Sequence, residues 1–345
     1  MRALIMQGAV VLSVLMLAAC SNPRQEVTVQ LATEVLLPAH QQWHDSNAAL
    51  MDSVEAYCAD PQASVEKMKA AFFHAQSQWS YLQPLMIGPL SEGNRSWQVQ
   101  FWPDKRNLVV RQTEALLDEA GPLTGEQLEK ASVVVQGLTA FEYVLFDESL
   151  ALASSRDRYC PLLNGIATHQ WALSEEVLTL WRGPEGMLLQ LSDFPNERYA
   201  TADDGLAAIL RVQITGVDVL KKKLGVPMGR LNKGVAQPYQ AEAWRSQQSI
   251  GNLQASLKGA RVVWQRVRSL VSDEGLVSDI DQAYADVNSR MEALPGSLVE
   301  LVQAPSHRDT LAALYTALDQ LENRQQIELA RALNIQIGFN ANDGD

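Results

Sequence analysis

Apolar residues recur every three or four positions along most of the chain, the spacing that places side chains on one face of an α-helix. A first helix is predicted over 29–59, and the proline that follows Asp60 marks the start of the next helix. The stripe of the first helix consists of Leu36, His40, Trp43, Asn47, Leu50, Val54 and Tyr57. Alternation at every second position, which would indicate strands, is nearly absent. The pattern therefore predicts an all-α protein.

Glycine- and proline-rich breaks divide the predicted helices into two sets. The second predicted helix carries Phe72 and Trp79, and the third begins at about Lys105. A capping box at Thr124 precedes the fourth, which runs over 127–146. The remaining helices are predicted over 157–181, 204–224, 241–271, 276–293 and 306–333. The segment 183–203 holds Gly183, Pro184, Gly186 and Pro195 and is the predicted link. We therefore expect two packed four-helix bundles, over 29–182 and 204–345, with a ligand site between them.

The first twenty residues have the features of a bacterial lipoprotein signal. A basic residue precedes an apolar run over 9–19, and the run ends at Leu17-Ala18-Ala19-Cys20, a small-residue cleavage pattern. We expect 1–19 to be removed, Cys20 to carry the lipid, and 20–28 to form a flexible tether. The serine after Cys20 favours the periplasmic side of the outer membrane, by similarity with other lipoproteins. A cleaved signal without lipid is the alternative.

Composition and charge narrow the range of partners. The chain has 345 residues, of which 47% are hydrophobic, and 40 acidic against 28 basic residues give a formal net charge of −12. This balance argues against nucleic acid and anionic lipid as partners, so we expect membrane contact through the lipid anchor only. After lipidation two cysteines remain, Cys58 and Cys160. In an oxidising periplasm they are predicted to form one disulfide, and two separate buried thiols are the alternative.

One acidic residue falls on the apolar stripe of the helix predicted over 127–146. That stripe consists of Leu128, Ala131, Val135, Leu138, Glu142 and Leu145. Because an isolated buried carboxylate is strongly unfavourable, Glu142 must be neutralised, be paired with a basic side chain, or bind a cation. A functional role and a structural ion pair both fit this position.

Four short segments stand out as motifs. They are Trp102-Pro103-Asp104 with Arg106, Gly137-Leu138-Thr139-Ala140-Phe141-Glu142, Trp244-Arg245-Ser246 with Ser249, and a tail that includes Asn340 and Asp343. In this order they resemble the Trp-Pro, Gly-x-His-x-x-Glu, Trp-Arg-Ser-x-x-Ser-Leu and Gly-Phe-Asn-x-x-Asp-Gly-Asp segments of the imelysin-like family of bacterial periplasmic proteins and lipoproteins. The resemblance covers nearly the whole mature chain, and the order of the four segments makes them jointly specific.

The resemblance implies two related four-helix bundles, a functional site at their interface, and a role in iron uptake or homeostasis. It also makes iron or another divalent metal the candidate cofactor. Position 139 departs from the family, because Thr139 stands where members have histidine. A neutral hydroxyl is a far poorer ligand than imidazole for a transition metal, so this departure argues against peptidase activity and against a tight metal site at Thr139 and Glu142.

The candidate ligand site combines the motif residues. Its members are Trp102, Asp104, Arg106, Gly137, Thr139, Glu142, Arg245, Ser246, Ser249, Asn340 and Asp343. The two arginines are expected to neutralise Glu142 or to hold an anionic ligand, unless they are solvated. Trp102 either contacts the ligand or packs at a helix start, and the tail either binds a hard cation weakly or forms ordinary turns. Nucleophilic catalysis by the serines is not expected, because the sequence has no Gly-x-Ser-x-Gly elbow.

The candidate metal ligands are Glu142 and His40. His40 and His44 are four residues apart on the first predicted helix, which is a spacing that metal ligands use, although a buried histidine satisfied by a neighbour is the alternative. Together the observations predict a non-enzymatic, lipid-anchored periplasmic protein that binds a small molecule or an iron-uptake component of the envelope. The alternatives are a metal-dependent peptidase or hydrolase and an envelope scaffold protein.

Overall fold

All regular structure in the described residues is helical, as the apolar spacing predicts. The computed structural model describes residues 22–119, 123–294 and 296–336. The helices of the first half are α1 (Pro23–Gln30), α2 (Leu37–Ala59), α3 (Val65–Leu82), α4 (Arg95–Val99), α5 (Leu108–Leu117), α6 (Gly125–Lys130), α7 (Val133–Gln136), α8 (Leu138–Phe146) and α9 (Arg156–Arg182). Those of the second half are α10 (Met187–Gln190), α11 (Ala202–Gly225), α12 (Ser249–Val267), α13 (Glu274–Glu292), α14 (Leu298–Gln303), α15 (Arg308–Asn323) and α16 (Ala330–Ala332).

Two wider helical segments and several tight turns complete the secondary structure. The π-helical segments Leu31–Leu36 and Arg324–Leu329 continue α1 into α2 and α15 into α16 without a break. The 3₁₀ turns are Gln83–Leu85, Gly88–Ser91, Leu152–Ser154, Pro238–Gln240, Arg268–Leu270 and Pro305–His307. None of the described helices combines the length and the apolar character needed to cross a membrane.

The long helices pack as two sets, one of three long helices completed by short ones and one of four, which confirms the predicted fold class. In the first set, α2 lies between α3 and α9, and the short helices α5 to α8 take the place of a fourth long helix. In the second set, α11 packs against α12 and α15, and α13 packs against α12 and α15. Large side chains fill both interiors, with Trp43, Phe72 and Trp181 in the first and Trp264 and Tyr284 in the second. Burial of these apolar faces supplies the main stabilising term.

The two sets share a closely packed interface. Helix α3 lies along α12, and a Cβ at Gly259 would stand 2.1 Å from the carbonyl oxygen of Tyr81, so only glycine permits this approach. Helix α1 packs against α11 of the second set. The segment 183–203, predicted as the link, contains α10 and a cis peptide bond between Phe194 and Pro195.

The start of the described chain differs from the predicted tether. Residues 20 and 21, including Cys20, lie outside the described residues, as does the signal segment 1–19. From Pro23 onwards the chain is helical rather than flexible, because Asn22 caps α1 and the side chains of Val27 and Thr28 are buried. Arg24 forms an ion pair of 2.7 Å with Asp203, which ties this helix to the second half.

Three predicted helix boundaries are also wrong. The helix expected from Lys105 begins at Leu108. The helix expected over 127–146 is divided into α6, α7 and α8, although the capping box at Thr124 is present. The helix expected over 241–271 begins at Ser249, because Ala243 and Gln247 have positive φ angles of 53° and 59°, which an α-helix excludes.

The disulfide between Cys58 and Cys160 is confirmed. It joins the end of α2 to the N-terminal part of α9, with the two Cα atoms 5.7 Å apart and a sequence separation of 102. The bond therefore closes a long loop that includes α3 to α8, and such a cross-link restricts the unfolded chain.

Loss of this bond is expected to lower the free energy of unfolding by about 5 kcal/mol, the value that loop-closure entropy gives for a loop of this length. Urea unfolding of the oxidised protein and of the double variant Cys58→Ala, Cys160→Ala measures the difference. A reducing agent should lower the unfolding midpoint of the parent protein and leave that of the double variant unchanged. Equal unfolding midpoints for the oxidised and reduced parent protein would contradict the prediction.

Candidate functional site

A cavity of about 640 Å³ lies at the interface between the two sets. The first half contributes the segment before α5 and one face of α8, and the second half contributes residues 237–245. Of the residues predicted from the sequence, the cavity is lined by Trp102, Asp104, Arg106, Thr139, Glu142 and Arg245. Three separate motifs therefore meet in one place, and the volume lies in the range of small-molecule sites.

Glu142 stands at the inner wall of the cavity. Its side chain is on α8, is 2% exposed, and receives two hydrogen bonds at Oε1, from the backbone N–H and from Oγ of Ser246, both 2.8 Å long. The other oxygen, Oε2, makes no hydrogen bond with the described residues. Burial raises the pKa of Glu142 above its usual value, and the bonds from Ser246 and the charge of Arg245 oppose that rise.

A strained loop of the second half supplies these two donors. Ala243 and Gln247 both adopt left-handed backbone conformations, and the N–H of Gln248 closes the loop on the carbonyl oxygen of Ala243. Ser249 donates from Oγ to the carbonyl oxygen of Glu242, which fixes the other end. Ser249 is buried and is not among the residues that line the cavity, so its contact is structural.

Arg245 is paired with a residue that the sequence did not single out. Its Nε donates to Oδ2 of Asp147 at 2.9 Å, and its guanidinium lies 4.2 Å from the ring centre of Trp244 and 5.2 Å from that of Tyr143. Burial of Asp147 acts to raise its pKa, but hydrogen bonds from Ser149 and Arg245 outweigh this effect and hold the pKa below its usual range. Arg245 thus influences Glu142 by charge and bonds to Asp147.

Two further basic side chains reach the cavity from the segment before α5. Lys105 and Arg106 are exposed, line the cavity, and make no side-chain hydrogen bond or ion pair with the described residues. Their positive charges are therefore open to an anionic group of a ligand. Arg106 does not neutralise Glu142 in this structure, and its exposed position fits both a solvated arginine and a contact with an anion.

The remaining motif residues hold the cavity walls in place. Trp102 donates from Nε1 to the carbonyl oxygen of Gln240 at 2.9 Å, across the interface. Asp104 accepts the backbone N–H groups of Leu108 and Val109, and it thereby starts α5. Thr139 donates from Oγ1 to the carbonyl oxygen of Phe101 at 3.1 Å. These contacts give Trp102, Asp104 and Thr139 structural roles in packing and capping.

Beneath the cavity lies a buried ion pair that sequence analysis missed. Lys223 and Glu242 bond to each other, Gln83 also accepts from Lys223, and Oε2 of Glu242 is buried without a hydrogen-bond partner. Burial lowers the pKa of Lys223, and the charge of Glu242 opposes this shift. Lys223 ends a run of three lysines, and such a run normally indicates a solvated helix face, so the sequence carried no sign of its burial.

The described residues do not fit a tight resident metal site. They contain no group of three or more His, Cys, Asp or Glu side chains placed to hold a metal ion. Thr139 donates its hydroxyl to a carbonyl oxygen and offers only a neutral oxygen beside Glu142. The predicted tail ligands Asn340 and Asp343 lie outside the described residues.

His40, the other candidate metal ligand, lies in the core of the first set. Its Nδ1 donates to the carbonyl oxygen of Leu36 at 2.8 Å, and its ring packs 4.6 Å from that of Trp181. Burial lowers the pKa of His40 to about 4, so the ring is neutral at pH 7. His44 instead approaches Glu175 at 3.4 Å. Neither histidine lines the cavity.

The fold and site together define an all-helical, two-bundle protein with a ligand-sized cavity at the bundle interface. The imelysin family model matches residues 36–325, and the chain belongs to this family. A comparison with curated proteins finds no match.

Two crystal structures share this fold. An imelysin-like protein from Psychrobacter arcticum superposes with a TM-score of 0.79 at 19% sequence identity, covering 92% of this chain and 97% of the other. A protein from Parabacteroides distasonis that is described as an iron-regulated protein A precursor gives a TM-score of 0.67 at 13% identity, covering 88% and 95% of the two chains.

Gly137 is expected to be required for packing rather than for ligand contact. A Cβ at this position would stand 2.4 Å from the carbonyl oxygen of Val99, whereas Gly125, also at a helix start, has open space around it. We expect Gly137→Ala to lower the free energy of unfolding by about 2 kcal/mol, and Gly125→Ala to leave it within about 0.5 kcal/mol. Chemical unfolding of both variants measures this, and equal effects would contradict the steric explanation.

The pH dependence of the free energy of unfolding should also reflect the burial of Glu142. Because the pKa of Glu142 is raised in the folded state, its ionisation costs stability as pH rises through that pKa, and no cost remains below the unfolded value of 4.5. Glu142→Gln, which cannot ionise, should therefore be more stable than the parent protein at pH 7, and the gain should vanish below pH 4.5. Urea unfolding as a function of pH measures it.

The exposed neighbour Glu148 supplies a matched control. It follows Asp147 in the chain, and it does not line the cavity. Glu148→Gln should show no such pH-dependent gain. A gain of the same size in both variants would show that the effect comes from net charge and not from the burial of Glu142.

Proposed function

We propose that this protein is a lipid-anchored periplasmic member of the imelysin family whose interface cavity binds a small ligand connected with iron uptake or homeostasis. The observation that carries the proposal is the position of Glu142. A buried carboxylate from one half is held by Ser246 of the other half, and its Oε2 remains available beside a cavity of about 640 Å³.

The chemistry of the walls favours an organic ligand or an iron chelate over a bare metal ion. Trp244 and Tyr239 stand edge to face with ring centres 5.1 Å apart and offer an aromatic wall. Lys105 and Arg106 offer unpaired positive charge to an anionic group. A chelate brings its own metal ligands, so it requires no protein donor set of the kind that is missing among the described residues.

The location and the link with iron rest on different observations. The pattern before Cys20 supports lipidation and export. The disulfide between Cys58 and Cys160 is consistent with an oxidising compartment. The role in iron acquisition is supported by family membership and by the name of the structural relative from Parabacteroides distasonis. The described donor set gives no comparable support to a metal-dependent hydrolase.

Equilibrium titration with ferric citrate, haemin and ferrioxamine B tests the proposal. We expect at least one of these probes to bind, and Glu142→Gln and Arg106→Gln each to weaken it by about tenfold, because the first replaces the carboxyl group at the inner wall and the second removes a positive charge open to an anionic group. Calorimetry at pH 7 measures the dissociation constants.

Two controls make the result specific. Glu148→Gln removes a nearby exposed charge that does not line the cavity, and it should leave the affinity unchanged. Circular dichroism checks that each variant is folded. Equal affinities for the parent protein and for both cavity variants would remove Glu142 and Arg106 from the site, and failure of all three probes to bind would contradict the link with iron chelates.

A further inference from the structure

A second cavity of about 530 Å³ lies on the other side of Trp102. Its walls come from the end of α3, the segment between α3 and α5, and one face of α11, so it also lies between the two halves. Trp102 and Gln100 line both cavities and form the partition between them. The proposed function makes no use of this second space.

The second cavity has a different chemical character from the first. Three indole rings line it, those of Trp79, Trp97 and Trp102, and none of its lining residues is acidic, although the chain as a whole carries a net charge of −12. Trp97 is 47% exposed, which is unusual for a tryptophan and places an aromatic surface where a ligand can reach it. An aromatic, acid-free cavity favours a planar ligand without positive charge.

Positive charge is available at this cavity. Arg211 lines it, is exposed, and makes no side-chain hydrogen bond or ion pair with the described residues. Glu92, which follows a lining residue in the chain, is paired with Arg198 at 3.0 Å and so is engaged elsewhere. Lys223 also lines the cavity, but Glu242 balances its charge. Arg211 is therefore the cation that an anionic ligand would meet.

A fixed hydrogen-bond donor stands in the partition. The side-chain oxygen of Gln100 accepts from Nε1 of Trp79 at 2.8 Å and from Nε2 of Gln83 at 3.2 Å. These two bonds fix which end of the amide is oxygen and which is nitrogen. The NH₂ group of Gln100 donates to none of the described residues, so it is available to an oxygen substituent of a ligand.

We propose that this second cavity is a binding site for a planar aromatic carboxylate. The indoles contact the ring, Arg211 attracts the carboxylate, and Gln100 offers a donor to a further oxygen. The proposal concerns a separate space from the cavity of Glu142, and the two sites can be tested independently.

Titration with 2-naphthoate and its neutral analogue 2-naphthalenemethanol tests the charge preference. We expect the parent protein to bind naphthoate about fivefold more tightly than the alcohol, which is the upper range for an exposed ion pair. Arg211→Gln should abolish this preference and leave affinity for the alcohol unchanged. Arg331→Gln, which removes an exposed arginine outside the cavity, should retain the preference.

A second variant locates the probe. Trp97→Ala removes a half-exposed indole, so the fold should survive, and it should weaken both probes by about fivefold through loss of aromatic contact. Thermal unfolding verifies that each variant is folded. Equal binding of the two probes to the parent protein, a preference that persists in Arg211→Gln, or full affinity in Trp97→Ala would each overturn the proposal.

Discussion

The interface depends on one buried carboxylate that neither half can satisfy alone. Glu142 belongs to α8 of the first half, and its two hydrogen-bond donors belong to Ser246 of the second half. A carboxyl group without hydrogen-bond partners at this depth would be strongly unfavourable, so the two halves must dock in one register for Glu142 to be satisfied. The strained conformations at Ala243 and Gln247 direct the backbone N–H and the hydroxyl of Ser246 at that carboxylate, and this role accounts for them.

Two buried ion pairs lie near Glu142. Helices α3 and α12 meet closely at Gly259, whereas the region around Glu142 holds the pairs of Arg245 with Asp147 and of Lys223 with Glu242. Buried ion pairs are weak evidence for stability, because desolvation offsets their attraction. Their concentration beside one cavity therefore supports the proposal that this region binds a ligand.

The local sequence pattern predicts the helical fold, the two sets of helices and the unusual place of Glu142 on an apolar stripe, because helical periodicity depends on residues that are close together in the sequence. It was not enough for Asp147, which lies just beyond the apolar stripe, or for Lys223, whose burial is set by contact with the other half. The sequence predicts a helix where the loop before α12 lies, because neither Ala243 nor Gln247 is a residue that normally indicates a left-handed turn. Tertiary contacts, rather than local propensity, determine these features.

The two cavities differ in charge although they share a wall, and Trp102 explains how that is possible. Its indole N–H is bonded to the carbonyl oxygen of Gln240, so the ring is fixed across the interface and separates the two spaces. On one side Glu142 and Asp147 face Lys105, Arg106 and Arg245, while on the other the lining residues include no acid. Because the bond of Trp102 joins the two halves, the shared wall is fixed by contacts from both of them.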